Sequence, residues 1–131
     1  SSDLAGRTSG GFDSQYRKPL SFGINIIKSV LDISLGLNVD FRDIIPIWFK
    51  WSSTFSVVTE VGKISKISGF EKCLKIKGVF KGFMTLKEGD YVSEMIDCAQ
   101  RFNYFICVGS SVEELNIIET KIANTLKITI K

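Results

Sequence analysis

The sequence predicts an α+β fold, an antiparallel sheet packed with two main helices, on three observations. Apolar residues recur at helical spacing in two separate places: Ile26, Ile27, Val30, Leu31 and Ile33, and again Leu115, Ile118, Ile122 and Leu126. Between them lie short runs of β-branched and aromatic residues bounded by glycine, the pattern of strands joined by tight turns. The order is helix, strands, helix and a last alternating run, so helices and strands are segregated rather than interleaved.

Taken in order, residues 1–7 read as the end of a strand, followed by a Ser/Gly loop. The first helix is expected over Gly23–Leu35, with Gly36 placed to stop it. Over 41–51, Pro46 weakens any helix, and Trp48, Phe49 and Trp51 need either burial or a partner. Thr54 to Val61 has strand composition, and Gly62-Lys63 turns into a second strand over Ile64–Ser68. Gly69 to Cys73 reads as one helical turn. Two further strands are expected at Val79–Leu86 and Phe102–Val108. Ser111 with Glu114 three residues later predicts a capping box, each side chain satisfying a donor left open in the first turn. Lys127-Ile128-Thr129-Ile130 alternates as a terminal strand.

Composition excludes several classes. With 44% apolar and 24% charged residues in 131, the chain has a core of its own and is not disordered. The most apolar span, Phe22–Leu37, is broken by Asn25, Lys28 and Asp32, so no membrane helix is expected. Cys73, Cys98 and Cys107 are odd in number and lack close metal-ligand spacing, which reads as reduced, mostly packed thiols in a cytoplasmic protein. The absence of histidine removes Ser-His-Asp and Cys-His catalysis and the commonest zinc sites. Lys63, Lys66, Lys72, Lys75, Lys77, Lys81 and Lys87 crowd the middle of the chain, but they alternate with Ile64, Ile67, Leu74, Ile76 and Val79 rather than with exposed aromatics. They read as solvent-facing and edge residues, so no nucleic acid partner is expected.

The most informative stretch is Asp3-Leu4-Ala5-Gly6-Arg7-Thr8-Ser9-Gly10-Gly11-Phe12. In an extended segment Asp3, Ala5 and Arg7 share one face. A carboxylate suits a hard cation such as magnesium, and a guanidinium suits phosphate or carboxylate. Gly10 and Gly11 would let the backbone pass close to a ligand. The plain alternatives are a surface ion pair of Asp3 with Arg7 and a flexible loop at Gly10-Gly11. With Ser1 only two residues before Asp3, the expectation is a piece of a longer polypeptide.

These pieces together resemble the C-terminal end of an ATP-grasp enzyme. The resemblance rests on Asp3-Leu4-Ala5-Gly6-Arg7, Gly10-Gly11, and Pro19-Leu20-Ser21-Phe22-Gly23-Ile24-Asn25 leading into a helix that ends at Leu35-Gly36. It continues through Gly62-Lys63-Ile64, Ile67-Ser68-Gly69-Phe70-Glu71, Gly78-Val79, Glu88-Gly89-Asp90-Tyr91-Val92, Arg101-Phe102-Asn103-Tyr104-Phe105-Ile106 and Gly109-Ser110-Ser111-Val112-Glu113-Glu114. The branch resembled is that of L-amino-acid ligases and carbamoyl-phosphate-synthase-like enzymes. Two departures stand out: Asp3 replaces the usual glutamate, and Ala5 stands where many members carry an asparagine metal ligand.

The resemblance implies a division into 1–36, the end of the nucleotide-binding region; 37–53, a connector; and 54–131, a C-terminal α+β subdomain. It implies Asp3 as a magnesium ligand, Arg7 as the catalytic cation, and Gly10 and Gly11 as substrate-binding positions. The implied parent is an ATP-dependent, ADP-forming carboxylate ligase working through an acyl phosphate, with Mg2+ and ATP as cofactors. Its partners would be the upstream ATP-grasp domains of the same polypeptide and a small-molecule carboxylate. This chain alone is expected to be inactive and to bind no cofactor, since the ATP-cradling parts would lie upstream. The alternative is a non-catalytic lid or a dimerisation module, with a homodimer as one form it could take.

Overall fold

The computed structural model describes residues 9–97 and 100–131. After Gly10-Gly11 a π-helical turn, Asp13–Arg17, runs directly into α1, Lys18–Phe22, and then α2, Ile26–Ser34. A 3-10 turn, Phe41–Ile44, follows. The remaining elements are β1 Trp51–Phe55, β2 Gly62–Ser68, α3 Phe70–Cys73, β3 Val79–Met84, β4 Tyr91–Val92, β5 Asn103–Gly109, α4 Val112–Thr125 and β6 Lys127–Ile130.

The class is α+β, and every strand pairing described is antiparallel. The strands divide into two three-stranded sheets, ordered β1-β5-β3 and β4-β2-β6, rather than one. Helix α4 joins them. Its stripe of Leu115, Ile118 and Ile122, with Leu126 behind it, packs on Phe105 and Cys107 of β5 and also against Ile67 of β2 and Ile128 of β6. A second cluster of Ile64, Val92 and Phe102 closes the other sheet. Gly69 explains why α3 can start where it does. It sits at φ +87°, and a Cβ there would run into the carbonyl oxygen of Thr125 at the end of α4.

Asn103 is a buried polar residue with a structural task. Its side-chain amide donates to Val57 O at 2.8 Å and accepts from Val57 N at 2.7 Å, and its backbone carbonyl accepts from Ser56 Oγ at 2.6 Å. The chain leaving β1 is thereby tied to the first residue of β5.

Sheet β1-β5-β3 is covered on both faces. Phe105 and Cys107 point toward α4. The alternate positions, with Phe83 opposite Tyr104 and Thr54 opposite Ile106, meet the segment that starts at Gly11. Helix α2 behaves differently. Its amphipathic pattern is as expected, Asn25 Oδ1 caps Lys28 N at 3.1 Å, and Gly36 takes the left-handed conformation of a helix stop. Yet Ser29 is the buried residue, while Val30, Leu31 and Ile33 of the apolar stripe are exposed. Lys28 holds the helix to the 3-10 turn by ion pairs to Asp32 at 2.8 Å and Asp43 at 2.7 Å, and these two carboxylates raise its pKa.

Candidate functional site

Of the residues the sequence singled out, Asp3 and Arg7 lie outside the described residues, and Gly10 and Gly11 form a turn that can be followed atom by atom. Gly11 is left-handed at φ 63°, and Phe12 follows it there at φ 66° and ψ 9°. For a residue with a Cβ this conformation costs about 1–2 kcal/mol. The turn directs its carbonyls into the protein. Ser9 O accepts from Ser14 Oγ at 3.1 Å, Gly10 O from Asp13 N at 3.2 Å, Gly11 O from Thr54 Oγ1 at 3.3 Å, and Phe12 O from Tyr16 N and Arg17 N. Among the described residues the three successive backbone N–H donors of Gly10, Gly11 and Phe12 have no acceptor, and such an arrangement around left-handed residues suits an anion. No described side chain lies within 4 Å of where a Cβ would sit on either glycine. Gly11 is therefore suited by its backbone conformation, and not by a close approach among the described residues.

The turn leads into a cleft of about 410 Å³ lined by Asp13, Arg17, Lys18, Lys50, Ser52 and the rings of Phe22, Phe49 and Trp51, with Ser21 at its base. Ser21 Oγ and Ser52 Oγ share a 2.6 Å hydrogen bond, which holds α1 against the edge of β1. Asp13 is shared between Arg17 at 3.6 Å and Lys18 at 3.2 Å. Arg17 also donates to Ser52 O at 3.3 Å, while its Nε is buried without an acceptor among the described residues. Three cations face one carboxylate here, so the cleft is electropositive beside an apolar wall.

Sequence reasoning missed this cleft. The adjacent Arg17-Lys18 pair and the Ser21/Ser52 match were its only signals, and they are brought together from opposite ends of a 35-residue interval. Trp48 and Trp51 are both substantially exposed, and Trp48 Nε1 donates to Leu20 O at 3.0 Å. Arg101 is exposed, as are all seven central lysines. Cys73 and Cys107 are buried free thiols, with burial pushing Cys107 up to about 12, so neither is poised as a nucleophile. Cys98 lies outside the described residues. Among the described residues no group of three carboxylates or thiols could hold a metal, and no helix is long and apolar enough to cross a membrane.

Comparison with protein families gives a match over residues 54–131, to the L-amino acid ligase C-terminal domain 2. The chain belongs to that family. The expected placement in the C-terminal part of an ATP-grasp enzyme of the L-amino-acid ligase branch stands on this match and on two solved structures of the same fold. An L-amino acid ligase from Bacillus licheniformis superposes with a TM-score of 0.73 at 20% identity, covering 93% of this chain and 30% of its own. A phosphoribosylglycinamide synthetase from Anaerococcus prevotii gives 0.66 at 13% identity, covering 86% of this chain and 29% of its own. The chain thus spans under a third of the length of either protein. A comparison with curated protein sequences finds no match.

Proposed function

We propose that this chain is the C-terminal portion of an ATP-dependent, ADP-forming carboxylate ligase and is inactive by itself. The observation that carries the reading is the family match over residues 54–131, and the Gly10–Phe12 turn agrees with it. In such a ligase a carboxylate oxygen attacks the terminal phosphorus of ATP, and ADP leaves. An amine then attacks the acyl carbon of the resulting acyl phosphate, phosphate leaves, and the amine loses a proton. Magnesium-ATP, when bound, supplies the phosphoryl group and part of the charge neutralisation.

This chain's residues would act by positioning and electrostatics. The N–H groups of Gly10, Gly11 and Phe12, which have no acceptor among the described residues, suit a substrate carboxylate or phosphoryl oxygen, and Arg7, six residues before Asp13, would meet the same charge. Asp3 is the carboxylate of this chain assigned to magnesium, with upstream groups supplying the rest. The partners are then the upstream domains of the same polypeptide and a small carboxylate, in the cytoplasm.

A second reading, a lid or dimerisation module without a catalytic part, is favoured by the broad exposed apolar surface between Phe22 and Trp51. The test uses the full-length gene product with magnesium-ATP and a panel of L-amino acids, following ADP and phosphate release and the coupled product by mass spectrometry. ADP formation that depends on an amino acid is expected; release of AMP and pyrophosphate would overturn the acyl-phosphate reading, and no turnover would favour the module. Arg7→Ala should lower turnover by about 2–4 kcal/mol of transition-state stabilisation while leaving the melting temperature unchanged.

A further inference from the structure

The ring of the left-handed Phe12 packs among aromatic rings from two distant strands. Its ring stacks on Phe83 with centroids 4.9 Å apart and planes 7° from parallel. Tyr104 meets it edge-on at 5.3 Å and 75°. Phe83 on β3 and Tyr104 on β5 are direct cross-strand partners, so the receptor for Phe12 is one rigid pair on the sheet face away from α4. Tyr16, one helical turn on, leans on Phe80 and Phe83 with centroids 6.1 Å from each. Lys81 Nζ lies 5.3 Å from the Tyr16 ring centroid and 3.2 Å from its hydroxyl. Thr54 Oγ1 donates to Gly11 O from the third strand. Every one of these anchors falls within residues 54–131, and every one grips residues 11–16.

A glycine at position 12 would adopt φ 66° without cost. A phenylalanine there carries the cost of this conformation, and the stacking of its ring offsets it. We propose that Phe83 and Tyr104, acting through Phe12, are positioning residues that set the Gly10–Gly11 turn for an anionic substrate group. The C-terminal subdomain thereby enters the site indirectly, by fixing where the N–H groups of Gly10, Gly11 and Phe12 point. This rests on the ligase reading for its substrate, but the mechanical part stands on the rings alone.

The test has two arms. In the 131-residue chain, backbone chemical shifts and amide exchange over Gly10–Asp13 are measured for wild type, Phe83→Leu and Phe12→Gly. Phe83→Leu keeps an apolar side chain but not the stack, and Phe12→Gly releases the lock while leaving every residue of the sheet unaltered. Phe12 is expected to leave the left-handed region in Phe83→Leu, and exchange at Gly10–Asp13 to rise in both variants, with β5 protection unchanged. A Phe12 that stays left-handed in folded Phe83→Leu, with exchange unaltered in both variants, would overturn the lock.

In the full-length protein, Phe83→Leu should raise KM for the carboxylate substrate about 10–100-fold and leave KM for ATP nearly constant, with Phe83→Tyr restoring the wild-type value. Equal changes in both KM values, or a loss that simply follows a lowered melting temperature, would reduce Phe83 to a packing residue. Wild-type protein without any ATP turnover would overturn the ligase reading, and the spectroscopic arm alone would then decide the lock.

Discussion

At the scale of single residues, burial turns an ordinary asparagine into a structural pin. Asn103 is 1% exposed, and its amide completes both backbone groups of Val57. Truncation leaves a donor and an acceptor in a partly buried place without partners, each costing about 1–3 kcal/mol. Asn103→Ala should therefore destabilise the chain by roughly 2–4 kcal/mol, read from urea unfolding; a change below about 0.5 kcal/mol, the size of a neutral surface substitution, would show that water replaces the amide. No sequence signal distinguished Asn103 from a strand-start residue, because its partners lie 46 positions away. The same holds for Ser52 and Thr54, which looked like ordinary strand polars and prove to hold α1 and the glycine turn. Gly10 and Gly11 were legible as a glycine loop, but its turn and the left-handed Phe12 beside it were not, since nothing local favours that conformation at Phe12.

At the scale of elements, α4 shows how a capping pattern is read and where it departs. Ser111 Oγ accepts from Glu114 N at 3.2 Å, as expected of the first half of a capping box. The Glu114 carboxylate reaches one residue further back than the expected Ser111 N–H, to Ser110 N and Ser110 Oγ, both at 2.6 Å. The Ser110 hydroxyl and N–H hold the Glu114 pKa below the usual range. A depressed carboxylate stabilises the fold above its unfolded pKa, about 4.3, and that contribution is lost as pH falls through the lower folded value. Thermal melts at pH 7, 5 and 3 should show wild type losing more stability than Glu114→Gln between pH 5 and 3, with the two curves converging at the acid end. Parallel curves would mean that the cap carries no charge-assisted part.

Periodicity located α4, α2, the turn α3 and most strands because their patterns are local. It did not show that the strands form two sheets, since pairing partners such as β2 and β6 are separated by about half of the chain. The helical run Asp13–Phe22 also escaped it. Its first turn is polar, and its core contacts are supplied by rings on a distant sheet.

At the scale of the whole molecule, apolar surface is distributed unevenly, and most of the exposed large apolar side chains lie before residue 54. From residue 54 onward the strands and α4 close over two buried clusters. Before it, Leu31, Ile33, Leu35, Leu37, Phe41, Ile45, Ile47, Phe49 and Trp51 are all more than half exposed. Monomeric proteins rarely leave a contiguous apolar patch above a few hundred Å² uncovered, so a surface this apolar calls for a cover. In the ligase reading that cover is the upstream part of the same polypeptide, and a homodimer is the alternative. Two results follow for the 131-residue chain in isolation. It should self-associate with rising concentration in sedimentation velocity, and Leu31→Glu with Phe49→Glu should restore the monomer without changing the far-ultraviolet spectrum. Hydrogen exchange should also divide at the same boundary. Amides in Val79–Met84 and Asn103–Gly109 are central to a covered sheet and should be slow at any concentration. Those of Ile26–Ser34 should be fast at low concentration and slow only as the chain associates, because a helix of this length is marginal without a surface to pack on. In the full-length protein the α2 amides should be slow at every concentration. A monodisperse 131-residue chain with uniform, concentration-independent protection would mean that this surface needs no cover, and both the upstream and the dimer readings of it would fall.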